Sequence, residues 1–118
     1  IKCYHSDPWV QPLPDDVYRE YMQKSIMQPD LRNETHKAWG VKSCRLFKAI
    51  SYGHLGITNS PKLAKFVDDS VVCSEDIREL FLKGFAKYQN VDLIRHQMLI
   101  VKDKHTFMNR SKGILKLL

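Results

Sequence analysis

The chain has 118 residues, of which 43% are hydrophobic and 27% charged, and its net charge is +6. This size and composition are typical of one globular domain and exclude a largely disordered chain. The longest apolar run, residues 98–101, is much shorter than the roughly 18 to 20 residues that a membrane span needs, so no membrane span is predicted.

The N-terminal half begins with an irregular, extended arm over residues 1–14, because three prolines interrupt regular structure there. Two aspartates at helix-start positions and apolar side chains at helical spacing then predict a helix over residues 15–28. A second, weaker helix is predicted over residues 30–40, with Asp30 as its N-cap and Gly40 as its stop.

The remaining elements follow from the same spacing of apolar residues. Helices are predicted over residues 43–53, 61–69, 75–88 and 91–100, with Ser74 capping the third of these, and a short extended segment over residues 71–73. The sequence therefore predicts a mainly α single domain, a small bundle of about five helices. Its divisions are the arm (1–14), a helical body (15–101) and a basic C-terminal segment (102–118).

No motif in the sequence indicates a reaction. It has no phosphate-binding glycine loop, no dinucleotide-binding glycine pattern and no local frame for a nucleophile. The cysteines are three in number and widely spaced (Cys3, Cys44 and Cys73), which predicts reduced thiols rather than disulfides or a zinc site. Cys44 and Cys73 are expected in the core. We expect no enzyme activity, cofactor, metal or small-molecule substrate, and an intracellular, reducing compartment.

The positive charge is concentrated in the last third. Residues 81–118 contain eight Lys and Arg against two Asp and Glu, whereas residues 1–40 have a net charge of −1 and residues 41–80 of +1. Such a basic segment favours contact with RNA or another acidic surface, by charge neutralisation and aromatic stacking. The candidate residues are Arg95, Lys102, Lys104, Phe107, Arg110 and Lys112. An exposed basic face without a ligand is the competing interpretation.

Aromatic residues are concentrated in the nearly neutral first third, where they favour contact with protein. The candidate interface residues are Trp9, Tyr18, Tyr21 and Trp39. Packing of these rings in the domain's own core is the alternative.

Together these patterns predict a non-catalytic structural subunit of a large assembly, docking on other protein subunits through its first third and on RNA or an acidic surface through its last third. A ribonucleoprotein subunit of the mitochondrial ribosomal type, in the mitochondrial matrix, fits this description. The chain begins at Ile1, which suits either a processed organelle protein or an excised domain. The alternatives are a helical protein–protein interaction module excised from a longer chain, and a small DNA-binding domain.

Overall fold

The computed structural model describes residues 12–42 and 44–116. In chain order the elements are α1 (Asp15–Lys24), α2 (Glu34–Trp39), α3 (Cys44–Ser51), β1 (Ile57–Thr58), α4 (Pro61–Phe66), β2 (Val72–Cys73), α5 (Ile77–Lys87), α6 (Val91–Lys104) and α7 (Phe107–Leu115). The mainly helical class is confirmed. The described residues hold seven helices where about five were expected, and the predicted arm lies largely outside them.

Most helices begin at a side chain that caps the first turn. The N-cap oxygen accepts a hydrogen bond from the backbone N–H three residues later, which satisfies a donor that the helix leaves unpaired. The caps are Asn33 for α2, Ser60 for α4, Asp76 for α5, Asn90 for α6 and Thr106 for α7. The predictions of Asp30 and Ser74 as caps are therefore wrong. Gly40 does end α2, as predicted, with a left-handed φ of 63°.

The predicted extended segment at residues 71–73 becomes one strand of a small parallel sheet. Ile57 of β1 pairs with Val72 of β2, and Thr58 pairs with Cys73, while α4 makes the crossover between the two strands. Asp30 adds a parallel bridge to Thr58 on the other side of β1, and its N–H donates to the Ile57 carbonyl at 2.9 Å. Three extended segments therefore lie side by side, with β1 in the middle.

Two apolar clusters form the core around this sheet. The larger cluster joins α3, α4 and the C-terminal half of α6, and it consists of Leu46, Phe47, Ile50, Leu63, Ala64, Val67, Val71 and Val101. The smaller cluster lies between the strands and α5 and consists of Leu55, Ile57, Val72 and Leu80. The first third of the chain adds Met22, which is buried, and Met27, which packs against the smaller cluster, and polar contacts supplement them.

A buried glutamine connects α6 to the sheet region. The Gln97 Oε1 atom accepts a hydrogen bond from the Gly56 N–H at 2.7 Å, and its Nε2 atom donates to the Ser70 carbonyl at 2.8 Å. Gly56 is also packed tightly, because a Cβ atom there would lie 2.8 Å from the Ile50 and Val71 side chains. Backbone and side chain approach each other so closely at this point that only glycine fits.

We expect Gly56→Ala to lower the free energy of unfolding by about 1–3 kcal/mol, because the added methyl group overpacks the core. Urea denaturation followed by circular dichroism measures the change. Gly113→Ala in α7 is the matched control, since nothing lies within 4 Å of its Cβ position and alanine favours a helix. A loss of stability in the control as large as that of Gly56→Ala would contradict this reasoning.

Candidate functional site

The most polar part of the interior is an ion pair between residues 30 and 32. Residues two apart in an extended chain point to the same side, so the two side chains meet. The Asp30 carboxylate is fully buried and the Arg32 side chain is 7% exposed. The guanidinium binds both carboxylate oxygens, Nε to Oδ2 and Nη2 to Oδ1, each at 2.8 Å. Because both oxygens are engaged, this carboxylate is structural.

The buried ion pair is anchored to the residues that follow β1. The Asn59 side chain accepts a hydrogen bond from the Arg32 N–H at 2.7 Å and donates to the Arg32 carbonyl at 2.9 Å. The Thr58 hydroxyl donates to the Asp30 carbonyl at 3.1 Å. These contacts fix the segment between α1 and α2 against the sheet, and so they determine where the first two helices lie.

We expect Asp30→Ala to destabilise the protein by about 3–5 kcal/mol, because it leaves the buried Arg32 charge without a partner. The double variant Asp30→Leu with Arg32→Met removes both charges and should recover most of that loss. Chemical denaturation of the wild type, Asp30→Leu, Arg32→Met and the double variant measures the coupling between the two charges. Asp30→Ala is measured beside them. Equal losses in Asp30→Ala and in the double variant would show that the pair does not act as a unit.

The predicted protein interface is divided between two helices. Trp39, the last residue of α2, is 77% exposed. Tyr18 and Tyr21 lie one turn apart on α1; Tyr21 is exposed, whereas Tyr18 is partly covered and its ring lies 4.5 Å from the Lys48 ammonium group. Trp9 lies outside the described residues. Of the described aromatic residues in this set, Trp39 presents the largest fraction of its side chain to a partner.

Trp39 stands on a helix that is fastened to the rest of the molecule. Lys37 on α2 forms ion pairs with Glu34 at 2.7 Å and with Glu75 at 3.3 Å, and the hydrogen bond to Glu34 is the main cause that raises the pKa of Lys37. Lys62 on α4 donates to the Ala38 carbonyl. An open cleft beside α2 is lined by Glu34, Lys37, Ala38, Pro61, Lys62 and Glu75.

The predicted basic segment is helical over most of its described length. Helix α6 continues to Lys104, and α7 begins at Phe107 after a two-residue corner. The corner is fixed because the His105 ring packs against Phe47 and Phe66, with ring centroids 5.3 and 4.7 Å apart. The Asn109 side chain also donates to the Lys102 carbonyl at 3.0 Å. Helix α7 is therefore held to the body through its first turn.

The predicted cationic residues are not equivalent. Arg95, Lys102 and Lys112 are exposed, but the Lys104 ammonium group pairs with Asp68 at 2.5 Å. That hydrogen bond is the main cause that lowers the pKa of Asp68. The side chain of Arg110 lies outside the described part of the structure. Of the predicted cationic residues, Lys104 is therefore paired with a carboxylate, whereas Arg95, Lys102 and Lys112 are exposed at the surface.

The ion pair to Lys104 predicts a pH-dependent effect. Because folding lowers the pKa of Asp68, its stabilising contribution is present above the ordinary aspartate pKa and is lost as the pH falls through the folded-state value. Asp68→Asn should therefore reduce stability slightly at neutral pH and not in acid. Asp69→Asn is the matched control, since both aspartates have a left-handed φ, which asparagine tolerates. Thermal unfolding across a pH series measures both variants, and a pH-independent difference for Asp68→Asn would contradict the assignment.

A surface that the sequence analysis missed is the apolar face of α7. Phe107, Met108, Ile114 and Leu115 are each between 61% and 87% exposed. Their spacing of one, seven and eight residues from Phe107 is helical periodicity, a signal present in the sequence. This "α7 face" gives the basic segment an apolar component that charge counting does not reveal.

The thiols and metal-ligating side chains suggest no chemistry in the described stretches, 12–42 and 44–116. Within them, no three His, Cys, Asp or Glu side chains come together to hold a metal ion. Cys44 is exposed, so its predicted place in the core is wrong, and Cys73 is half-buried. Burial raises the pKa of the Cys73 thiol, which disfavours the reactive thiolate. Cys3 lies outside these stretches.

Among the helices described above, none is both long enough and apolar enough to cross a membrane. No family model, curated protein or solved structure matches this chain. What can be said of function therefore follows from the residues and their geometry.

Proposed function

We propose that this chain is a non-catalytic structural subunit of a larger assembly. Its first third docks on protein around Trp39, and its last third meets RNA or another acidic surface through Arg95, Lys102 and Lys112. A ribonucleoprotein subunit of the mitochondrial ribosomal type remains the specific form of this proposal, with other protein subunits as its partners.

The observation that carries the proposal is that exposed aromatic and cationic side chains stand on helices fixed to the body. The helix that carries Trp39 is joined to the body by the Lys37–Glu75 ion pair and by the Lys62 hydrogen bond to the Ala38 carbonyl. Phe107, which is 87% exposed, follows directly after the His105 corner. An exposed aromatic side chain on a fixed helix loses little conformational entropy when a partner covers it. Both residues are therefore suited to docking.

The DNA-binding alternative has less support from the geometry. That alternative would use α3 and α4 as a helix-turn-helix pair, with α4 as the helix that enters the DNA groove. Helix α4 is only six residues long, and the exposed pair Asp68 and Asp69 follows it. Along the chain, β1 stands between α3 and α4, where a helix-turn-helix pair would have a short turn. The test below includes duplex DNA for this reason.

The test is a salt titration of binding to single-stranded oligouridine, with duplex DNA measured in parallel. We expect binding to single-stranded RNA that weakens steeply with salt, as counterion release requires. The triple variant Arg95→Glu, Lys102→Glu, Lys112→Glu should bind at least about tenfold more weakly at low salt, since it replaces three phosphate contacts with repulsion.

The matched control makes the same charge change at exposed positions on α1 and α5: Arg19→Glu, Arg78→Glu and Lys87→Glu. We expect it to reduce binding far less than the first triple variant. Equal losses of RNA binding in the two variants would show that net charge alone, rather than the position of the charges, determines binding. No binding by the wild type at low salt would remove RNA from the proposal and favour the protein–protein interaction module, and a preference for duplex DNA would favour the second alternative.

A further inference from the structure

Helix α7 has the geometry of a helix that lies on a surface. At about 100° per residue, its four large apolar side chains fall within a sector of about 120°. They are Phe107, Met108, Ile114 and Leu115, the α7 face, and each is more than half exposed.

Lysines lie next to one edge of this apolar sector. At about 100° per residue, Lys112 lies about 40° and Lys116 about 80° beyond the edge at Met108, and both are exposed. From residue 105 to residue 118 the sequence contains three Lys and Arg and no Asp or Glu. A partner that is apolar beneath the helix and anionic beside it matches both features.

Three kinds of partner fit this chemistry less well. A second copy of the chain would bring two cationic borders together, and like charges repel. RNA gains little from the aliphatic side chains of Met108, Ile114 and Leu115, because bases stack on flat aromatic or guanidinium groups. Protein interfaces are depleted in lysine, whereas lysine is the charged residue at the border of this face.

An anionic lipid surface fits each feature. Its acyl region accepts apolar side chains without a shaped groove, and its headgroups accept the flanking ammonium groups at the ends of flexible, apolar stems. We propose that the α7 face docks on anionic lipid, with α7 lying in the plane of the headgroups. This inference goes beyond the proposed function and does not depend on RNA binding, since it uses the aliphatic side chains of the α7 face, on which RNA bases do not stack.

The short helix and few charges make the binding weak and reversible. Neither the apolar contact nor the charge attraction is sufficient alone, so removing either one should release the protein. This double requirement separates the lipid proposal from simple binding to polyanions.

The experiment is flotation of the full chain with vesicles of phosphatidylcholine and phosphatidylserine, compared with pure phosphatidylcholine. We expect binding to the anionic vesicles and little to the neutral ones. The apolar variant Ile114→Ser with Leu115→Ser and the charge variant Lys112→Glu with Lys116→Glu should each bind at least about tenfold more weakly. Ile114→Leu with Leu115→Ile should retain binding, because it keeps the apolar face.

The matched control is Ile26→Ser with Leu82→Ser, which removes two exposed apolar side chains outside α7 and should leave vesicle binding unchanged. Oligouridine binding is measured on the same variants. Loss of vesicle binding with RNA binding intact in Ile114→Ser with Leu115→Ser supports the proposal. Equal vesicle binding by that variant and the wild type overturns it, as does failure of the wild type to bind anionic vesicles. Neither result bears on RNA binding, so the two proposals fail separately.

Discussion

The buried pair of Asp30 and Arg32 is the contact on which the placement of the first third depends. Taking two charges out of water costs several kcal/mol per ion unless geometry and hydrogen bonds compensate. Here the two-point contact between guanidinium and carboxylate supplies the geometry, and Asn59 supplies both backbone hydrogen bonds to Arg32. The segment between α1 and α2, which has few core residues, is thereby fixed against β1. The positions of α2 and of Trp39 depend on this contact.

Much of the helical structure could be predicted because its signals are local. Ser60 with Pro61, the stop at Gly40 and the apolar stripe of α5 each depend on neighbours within a few residues. The errors have a different origin. Aspartate is a common helix cap, but contacts with residues 27 and 28 positions later decide the role of Asp30. Gln97 is buried because it binds Gly56 and Ser70, which no helical periodicity reveals.

The surface residues also divide into those with a local sequence signal and those whose role depends on a distant contact. The net charge points to the last third, where Arg95, Lys102 and Lys112 are exposed. The partner of Lys104 could not be predicted, since Asp68 lies 36 positions away in the sequence. The α7 face could have been found, because its periodicity is local.

The sheet has a consequence for how the protein can associate. β1 and β2 are two residues long, and the segment at Asp30 contributes a single bridge. Such short outer members leave almost no row of free N–H and C=O groups to template the addition of a strand from another molecule. A protein with an exposed apolar helix face is prone to self-association, and in residues 12–42 and 44–116 the sheet edges offer little template for strand addition. Contacts with other molecules then depend on side chains, and such contacts are reversible.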